Sequence, residues 1–312
     1  MKNTFQLPQI PYVENEKSKL TLHLFLQIIG KIRLKMTPRK NHWWYITFYT
    51  DSLGLTTGPI SYNLGMERVT FSFNFLNHRF EIINSQGKRQ YIALENGLTV
   101  ADFYLKLMTM LKDLEIDVQI LDKPYDLGMD KRFSEITEFH HYNKEYSQNL
   151  WQILLWVDDV FKEFSGRFYG KTCPVHLYWH SMDLTVTRFS GKKAPAMPKE
   201  ARISDKDAYT HECISFGFWA GDPNTPEAAF YSYTFPSPEG MKNETLQPAS
   251  ANWIDANGSA MAILTYNKLL QEQNPRTALL NFLESAYQAG AKRADWNIEE
   301  LTVPSLEVLK NT

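Results

Sequence analysis

Cysteine is nearly absent from this 312-residue chain. Only Cys173 and Cys213 occur, too few for a disulfide framework and in keeping with a reducing compartment, so both are expected as free thiols. An excess of charge is lacking as well: 33 basic and 35 acidic residues leave a formal net charge of -2, and no whole-protein field draws in nucleic acid or an anionic membrane. Such a contact would need a local patch. Long apolar runs are missing too, the most apolar stretch, 20–29, being interrupted by Thr21, His23 and Gln27, so no membrane-spanning segment is expected. The start, Met1 to Pro8, has no basic-then-apolar leader pattern, which points to the cytoplasm. Neither a phosphate-cradling G-x-x-x-x-G-K-[ST] loop, nor a strand-linked G-x-G-x-x-G, nor a Gly-x-Ser-x-Gly elbow is present, and the common nucleotide-binding and serine-hydrolase classes lose their main support. No cofactor can be named from the residues.

What is present is an ordinary globular composition, 43% apolar and 22% charged, long enough for two domains. From Lys19 to Met36, apolar residues at Leu22, Phe25, Ile28, Ile29 and Ile32 follow helical spacing, and Pro38 ends the helix. Aromatic and β-branched segments follow at Trp43–Thr50, Leu55–Tyr62, Arg68–Phe75, Phe80–Asn84 and Gln90–Leu94, with short turns such as Ser85-Gln86-Gly87-Lys88, the pattern of an antiparallel meander. Thr99, three residues before Asp102, caps a second helix. Residues 122–144 carry Pro124, Gly128 and the His140-His141 pair without a sustained period, which predicts a linker. Helical spacing resumes over Tyr146–Phe168. Strands are expected at Val175–Trp179, Leu184–Phe189, Glu212–Trp219, Ala229–Phe235 and Met261–Tyr266, with a long polar loop at Gly191–Asp207. Asn274 as N-cap and Pro275 at the first helical position open a last helix.

The fold class is therefore α+β, in two similarly organised halves, residues 1–121 and 145–312 joined by 122–144, each an antiparallel sheet flanked by helices in the order helix, strands, helix. Lys35-Met36-Thr37-Pro38 before Trp43-Trp44 and Lys171-Thr172-Cys173-Pro174 before Tyr178-Trp179 fall at matching places, which suggests an internal duplication with a groove between the halves.

The run LHLFLQIIGKIRL from Leu22, Asn41-His42-Trp43-Trp44, Gly54-Leu55-Thr56-Thr57-Gly58-Pro59-Ile60, Phe161-Lys162-Glu163-Phe164, Asp183 to Gly191, His211-Glu212, Gly217-Phe218-Trp219 and Phe230-Tyr231-Ser232-Tyr233 together resemble a bacterial family filed as a domain of unknown function. The resemblance spans nearly the whole chain. It implies no chemistry, and no role for His180, Cys173 or Cys213.

Candidate chemistry must come from the residues. His176 and His180 are four apart, but on a strand, at roughly 3.3 Å per residue, they stand about 13 Å from each other, too far to share a metal ion. His211 and Cys213 share a strand face yet are only two ligands, so no metal site is expected. In one continuous strand reading, His176 and Arg188 share a face, with Asp183 near a bend and His211-Glu212 opening a neighbouring strand. A histidine beside a carboxylate can act as acid or base near neutrality, and an arginine can hold a carboxylate or phosphate in a fork. Their ordinary alternative is mutual satisfaction under a sheet. The basic runs Lys31–Lys40 and Arg188–Arg202 read first as solvated faces with scope for a local anion site, and Trp219 and Tyr231 as strand packing that could line a pocket. The leading expectation is binding of a small anionic ligand in a groove lined mainly by the second half, with Arg188, Trp219 and Tyr231 touching it. The alternatives are a metal-independent enzyme using His176, His211, Glu212 or Asp183 as an acid–base pair, and a protein-interaction module without a pocket.

Overall fold

A computed structural model describes residues 6–310, so most of the Met1 to Pro8 segment read above for a leader pattern lies outside the described residues. Among the described residues there are seven α-helices: α1 (Tyr12–Met36), α2 (Val100–Asp113), α3 (Lys144–Ser165), α4 (Ile203–Ala208), α5 (Tyr266–Leu269), α6 (Pro275–Arg293) and α7 (Leu306–Lys310). A five-stranded antiparallel meander runs in chain order through β1 (Tyr49–Thr50), β2 (Gly54–Tyr62), β3 (Glu67–Asn74), β4 (Arg79–Asn84) and β5 (Arg89–Ala93). The second sheet holds β6 (His176–Tyr178), β7 (Asp183–Lys193), β8 (His211–Trp219), β9 (Ala229–Phe235), β10 (Asn252–Ala256) and β11 (Ser259–Thr265), in the order β10-β11-β9-β8-β7-β6. The mixed class and the pair of antiparallel sheets match the sequence expectation.

By packing, the chain forms two compact units, one of residues 1–156, 176–183 and 220–226, the other of 157–175, 184–219 and 227–312. Sequence division at 122–144 follows chain continuity, whereas the packed units are discontinuous and α3 runs through both.

In the first unit, α1 and α2 cover one face of the meander. Phe25 of α1 stacks on Phe103 of α2 at 4.3 Å, and Phe103 meets Phe80 of β4 at 5.2 Å. Alternate strand positions Phe71, Phe73, Phe80 and Ile82 are fully buried on that face, as the two-residue period of a strand requires. The expected caps form: Thr99 Oγ1 accepts from the Asp102 backbone N–H, and Asn274 Oδ1 accepts from that of Thr277.

Three differences from the sequence reading have local causes. A strand expected over Trp43–Thr50 is reduced to β1, because His42 and Trp43 adopt left-handed backbone (φ 56° and 60°), which starts a 3-10 turn at Asn41–Trp43. Residues 122–144 are not a free linker, since their backbone bonds into the first unit: Gly97 N–H donates to His140 O, Val100 N–H to Phe139 O and Ala101 N–H to Ile136 O. The polar loop expected at Gly191–Asp207 takes in the last residues of the strand β7 and most of the short helix α4.

α1 also holds its neighbours through polar side chains that face inward. Gln27, fully buried, donates from Nε2 to Tyr125 O at 3.0 Å and accepts from Tyr125 N–H at 2.7 Å. His23 Nε2 lies 3.0 Å from Trp179 O and 3.1 Å from His180 O, a shared N–H donated to two carbonyls. Replacing Gln27 by Ala strands one backbone donor and one acceptor; the expected cost is about 1–3 kcal/mol, read as a lower urea midpoint together with faster amide exchange at Tyr125. Unchanged exchange at Tyr125 would contradict this assignment.

Candidate functional site

The sequence candidates divide between the units. His176 and Asp183 belong to the first, and Arg188, His211, Glu212, Trp219 and Tyr231 to the second. The bend expected near Asp183 separates two strands: β6 ends at Tyr178, Met182 takes a left-handed φ of 59°, and β7 begins at Asp183. His176 lies wholly buried against the edges of Tyr49 and Tyr178. Burial pushes its pKa down to about 3, and Arg33 and Lys40 add to the effect. Asp183 is buried and accepts a hydrogen bond from Ser181 Oγ.

In the second unit the pleat separates the candidates. Phe164 of α3 touches both Phe216 of β8, at 4.8 Å, and the Arg188 guanidinium of β7. Arg188 and the even positions of β8 therefore share the face that α3 covers. Glu212 is on that face and accepts from Ser190 Oγ at 2.8 Å. His211, Trp219 and Tyr231 are on the other. There Gly217 is needed for space, because a Cβ at that position would come within 2.2 Å of the Tyr231 ring. Trp219 and Tyr231 meet at 5.5 Å, and Tyr231 stacks on Tyr233. His211 pairs with Thr210 Oγ1 at 3.0 Å, and its pKa is lowered by burial, then by Lys171 and Lys193. The His211 ring and the Arg188 guanidinium cannot act on one ligand across a strand pleat.

Arg188 has the least expected surroundings. It is 1% exposed. Its Cζ lies 3.6 Å from the Phe164 ring centre, 4.3 Å from Tyr287 and 5.0 Å from Phe168, and Nη2 donates to Phe164 O at 2.5 Å. The stacking is a favourable use of a flat cation. No carboxylate among the described residues pairs with it; Glu284 of α6 raises its pKa from beyond ion-pair distance, but burial prevails and pushes it down to about 10. Its Nε–H has no acceptor, nor do the buried Tyr287 hydroxyl and Trp296 Nε1, whose rings are neighbours at 6.3 Å. Buried charges are ordinarily paired. Arg188 was legible from sequence as a strand arginine; Tyr287 looked like one more apolar position of α6, and Trp296 lies beyond the helical period, where nothing marks it.

Metal ligation finds no support in the geometry, since no three His, Cys, Asp or Glu side chains among the described residues are grouped to hold an ion. No described helix is long and apolar enough to cross a membrane. An open hollow of about 550 Å³ in the first unit, bordered by Lys35, Tyr62, Glu67, Glu115 and Asp117, holds none of the sequence candidates.

A family model matches residues 7–303, nearly the whole chain. The chain belongs to the family of unknown function DUF5996. No curated protein and no solved structure matches it. Membership in DUF5996 agrees with the resemblance carried by the sequence segments, and it leaves the chemistry to the geometry.

Two consequences for this DUF5996 chain can be measured. His23 and His176 are both held near pKa 3, chiefly by burial, so the unfolded chain takes up protons below about pH 6.5 that the folded chain refuses. Stability is complete above that pH and falls as pH drops towards 3, by up to about 1.4 kcal/mol per pH unit for each histidine. Urea midpoints taken from pH 7 to 5 should decline, and His23→Gln should make the decline shallower; a slope unaffected by the substitution counts against the assignment. Cys173 and Cys213 are buried free thiols pushed up to about 12 by burial. An aromatic disulfide reagent at pH 8 should label neither before the chain unfolds and both afterwards; rapid labelling of the native protein would show the thiols to be accessible.

Proposed function

We propose that the second unit binds a small anion and that Arg188 is its anchor. The observation that carries this reading is a guanidinium buried among Phe164, Phe168 and Tyr287 with no ion-pair partner among the described residues. Tyr287 and Trp296 add donors with no acceptor among the described residues. A carboxylate or phosphate oxygen satisfies the charge and the donors together. The reading keeps the small anionic ligand expected from sequence and moves its centre from a groove touched by Arg188, Trp219 and Tyr231 to one aromatic cluster around Arg188. Trp219 and Tyr231, on the opposite face of the sheet, are not part of it. An acid–base enzyme built on His211 and Glu212 has less support, because the two side chains leave opposite faces and each has a local hydrogen-bond partner.

The cytoplasm is the setting that two free thiols suit. A net charge of -2 gives no reason to add nucleic acid as a partner. The repeated order of helix, strands and helix supports an internal duplication as the origin of the two halves.

The test is an anion-dependent melting shift at constant ionic strength, with inorganic phosphate and succinate as probes and chloride as the reference. At a hundred times its dissociation constant, a bound anion stabilises the protein by about 2.7 kcal/mol. Arg188→Met, similar in length and without charge, should remain folded by circular dichroism and lose the shift. An equal shift in the variant would sink the proposal. So would the absence of any shift combined with no small molecule retained in native mass spectrometry of protein from its own host.

A further inference from the structure

Along one face of α1, polar side chains recur at Tyr12, Glu16, Lys19, His23, Gln27 and Lys31, spaced by three or four residues, so they form a single stripe. Most of the stripe is engaged. Tyr12 donates to Glu16 at 3.2 Å, His23 donates to two carbonyls, and Gln27 pairs with the backbone of Tyr125. Lys31, at the end of the stripe, is different: the residue is 6% exposed and makes no hydrogen bond or ion pair with any described residue, and its Nζ reaches solvent. Its Nζ lies 5.9 Å from the centre of the Trp179 ring.

The surroundings of Lys31 are aromatic. Gly30 lets the Trp179 indole lie directly on the helix backbone, where a Cβ would meet the indole Cγ at 2.2 Å. Tyr125 meets the same indole edge-on at 6.0 Å. Trp179 is itself 4% exposed, and its Nε1 is a buried donor without an acceptor. A lysine and an indole N–H, both donors, thus stand together on an aromatic wall, with no charged group set against the ammonium. Burial is the sole cause of the fall in the Lys31 pKa. An amine in such a place spends more of its time neutral, and the neutral amine is the nucleophile.

We propose that Lys31 is an amine nucleophile that condenses reversibly with an aldehyde or ketone seated against Trp179. In the step, the Nζ lone pair adds to the carbonyl carbon to give a carbinolamine. The nitrogen gives up its two protons, the former carbonyl oxygen leaves as water, and a C=N bond joins Lys31 to the substrate. Addition of water reverses the reaction. The Trp179 N–H, a donor with no acceptor among the described residues, is available to the oxygen of a compound held there, and the indole face suits a flat or apolar body. This site is in the first unit and owes nothing to Arg188.

The experiment uses the full chain at pH 7 with benzaldehyde as probe and cyanoborohydride as the reductant that converts imine to secondary amine; adducts are mapped by peptide mass spectrometry over time. Lys31 should be labelled at least tenfold faster than the exposed Lys17 and Lys35, and the advantage should shrink as pH rises towards 10, where every lysine is substantially neutral. Lys31→Arg should abolish that adduct and leave labelling of Lys17 and Lys35 unchanged. Trp179→Phe should slow Lys31 several-fold without affecting those two. Labelling of Lys31 in the unaltered protein no faster than that of Lys17 and Lys35 overturns the proposal, whatever the variants do. An advantage equally large at pH 10 overturns it as well.

Discussion

Over residues 21–33 a helix buried on all sides has few ways to satisfy the polar groups it carries inward, and the first unit depends on how α1 does so for all but Lys31. Thr21, His23, Gln27, Lys31 and Arg33 are all buried within it, in a helix whose apolar neighbours pack on the meander. Each unsatisfied group there would cost more than an ordinary hydrogen bond contributes. The partners are mostly backbone: Tyr125 for Gln27, Trp179 and His180 for His23, Tyr45 and Thr57 for Arg33. These bonds fix irregular segments that have no ladder of their own. The helix thereby serves as a template for loops, and the residues it pins are those from which an aromatic wall can be assembled.

Much of this was legible in the sequence and some of it could not be. Strands and helices were found where the apolar period was clean, as in β8, β9 and α3, and the caps Thr99 and Asn274 acted as their side-chain chemistry predicts. The strand β10 was missed because Asn252–Ala256 alternates weakly and is largely exposed. His42 and Trp43 misled because strand-like composition does not reveal a left-handed backbone. Lys31 and Arg33 looked like part of a solvated basic run; only tertiary packing decides that both are buried. Composition shows how many charges a segment carries, not which of them lose their water.

Two basic side chains with no carboxylate partner among the described residues, Arg188 in one unit and Lys31 in the other, differ in what their chemistry permits. A guanidinium keeps its proton even when burial lowers its pKa, and so Arg188 stays a fixed charge whose needs an anion would meet. An ammonium can shed its proton, and so Lys31 is open to a different solution, covalent rather than ionic. The aromatic rings around each do similar work in both places: they exclude water and offer their faces to the cation. The same local physics therefore supports binding in one unit and nucleophilic chemistry in the other.

The interleaving of the two units has a bearing on biosynthesis. Residues 176–183 and 220–226 pack with the first unit, so that unit cannot be completed until the ribosome has released more than two-thirds of the chain. Domains usually fold in turn as they emerge; here the amino-terminal part must wait, with α1 and the meander formed but lacking the segments that cover His23. Nor does any single cut of the gene separate the two packed units.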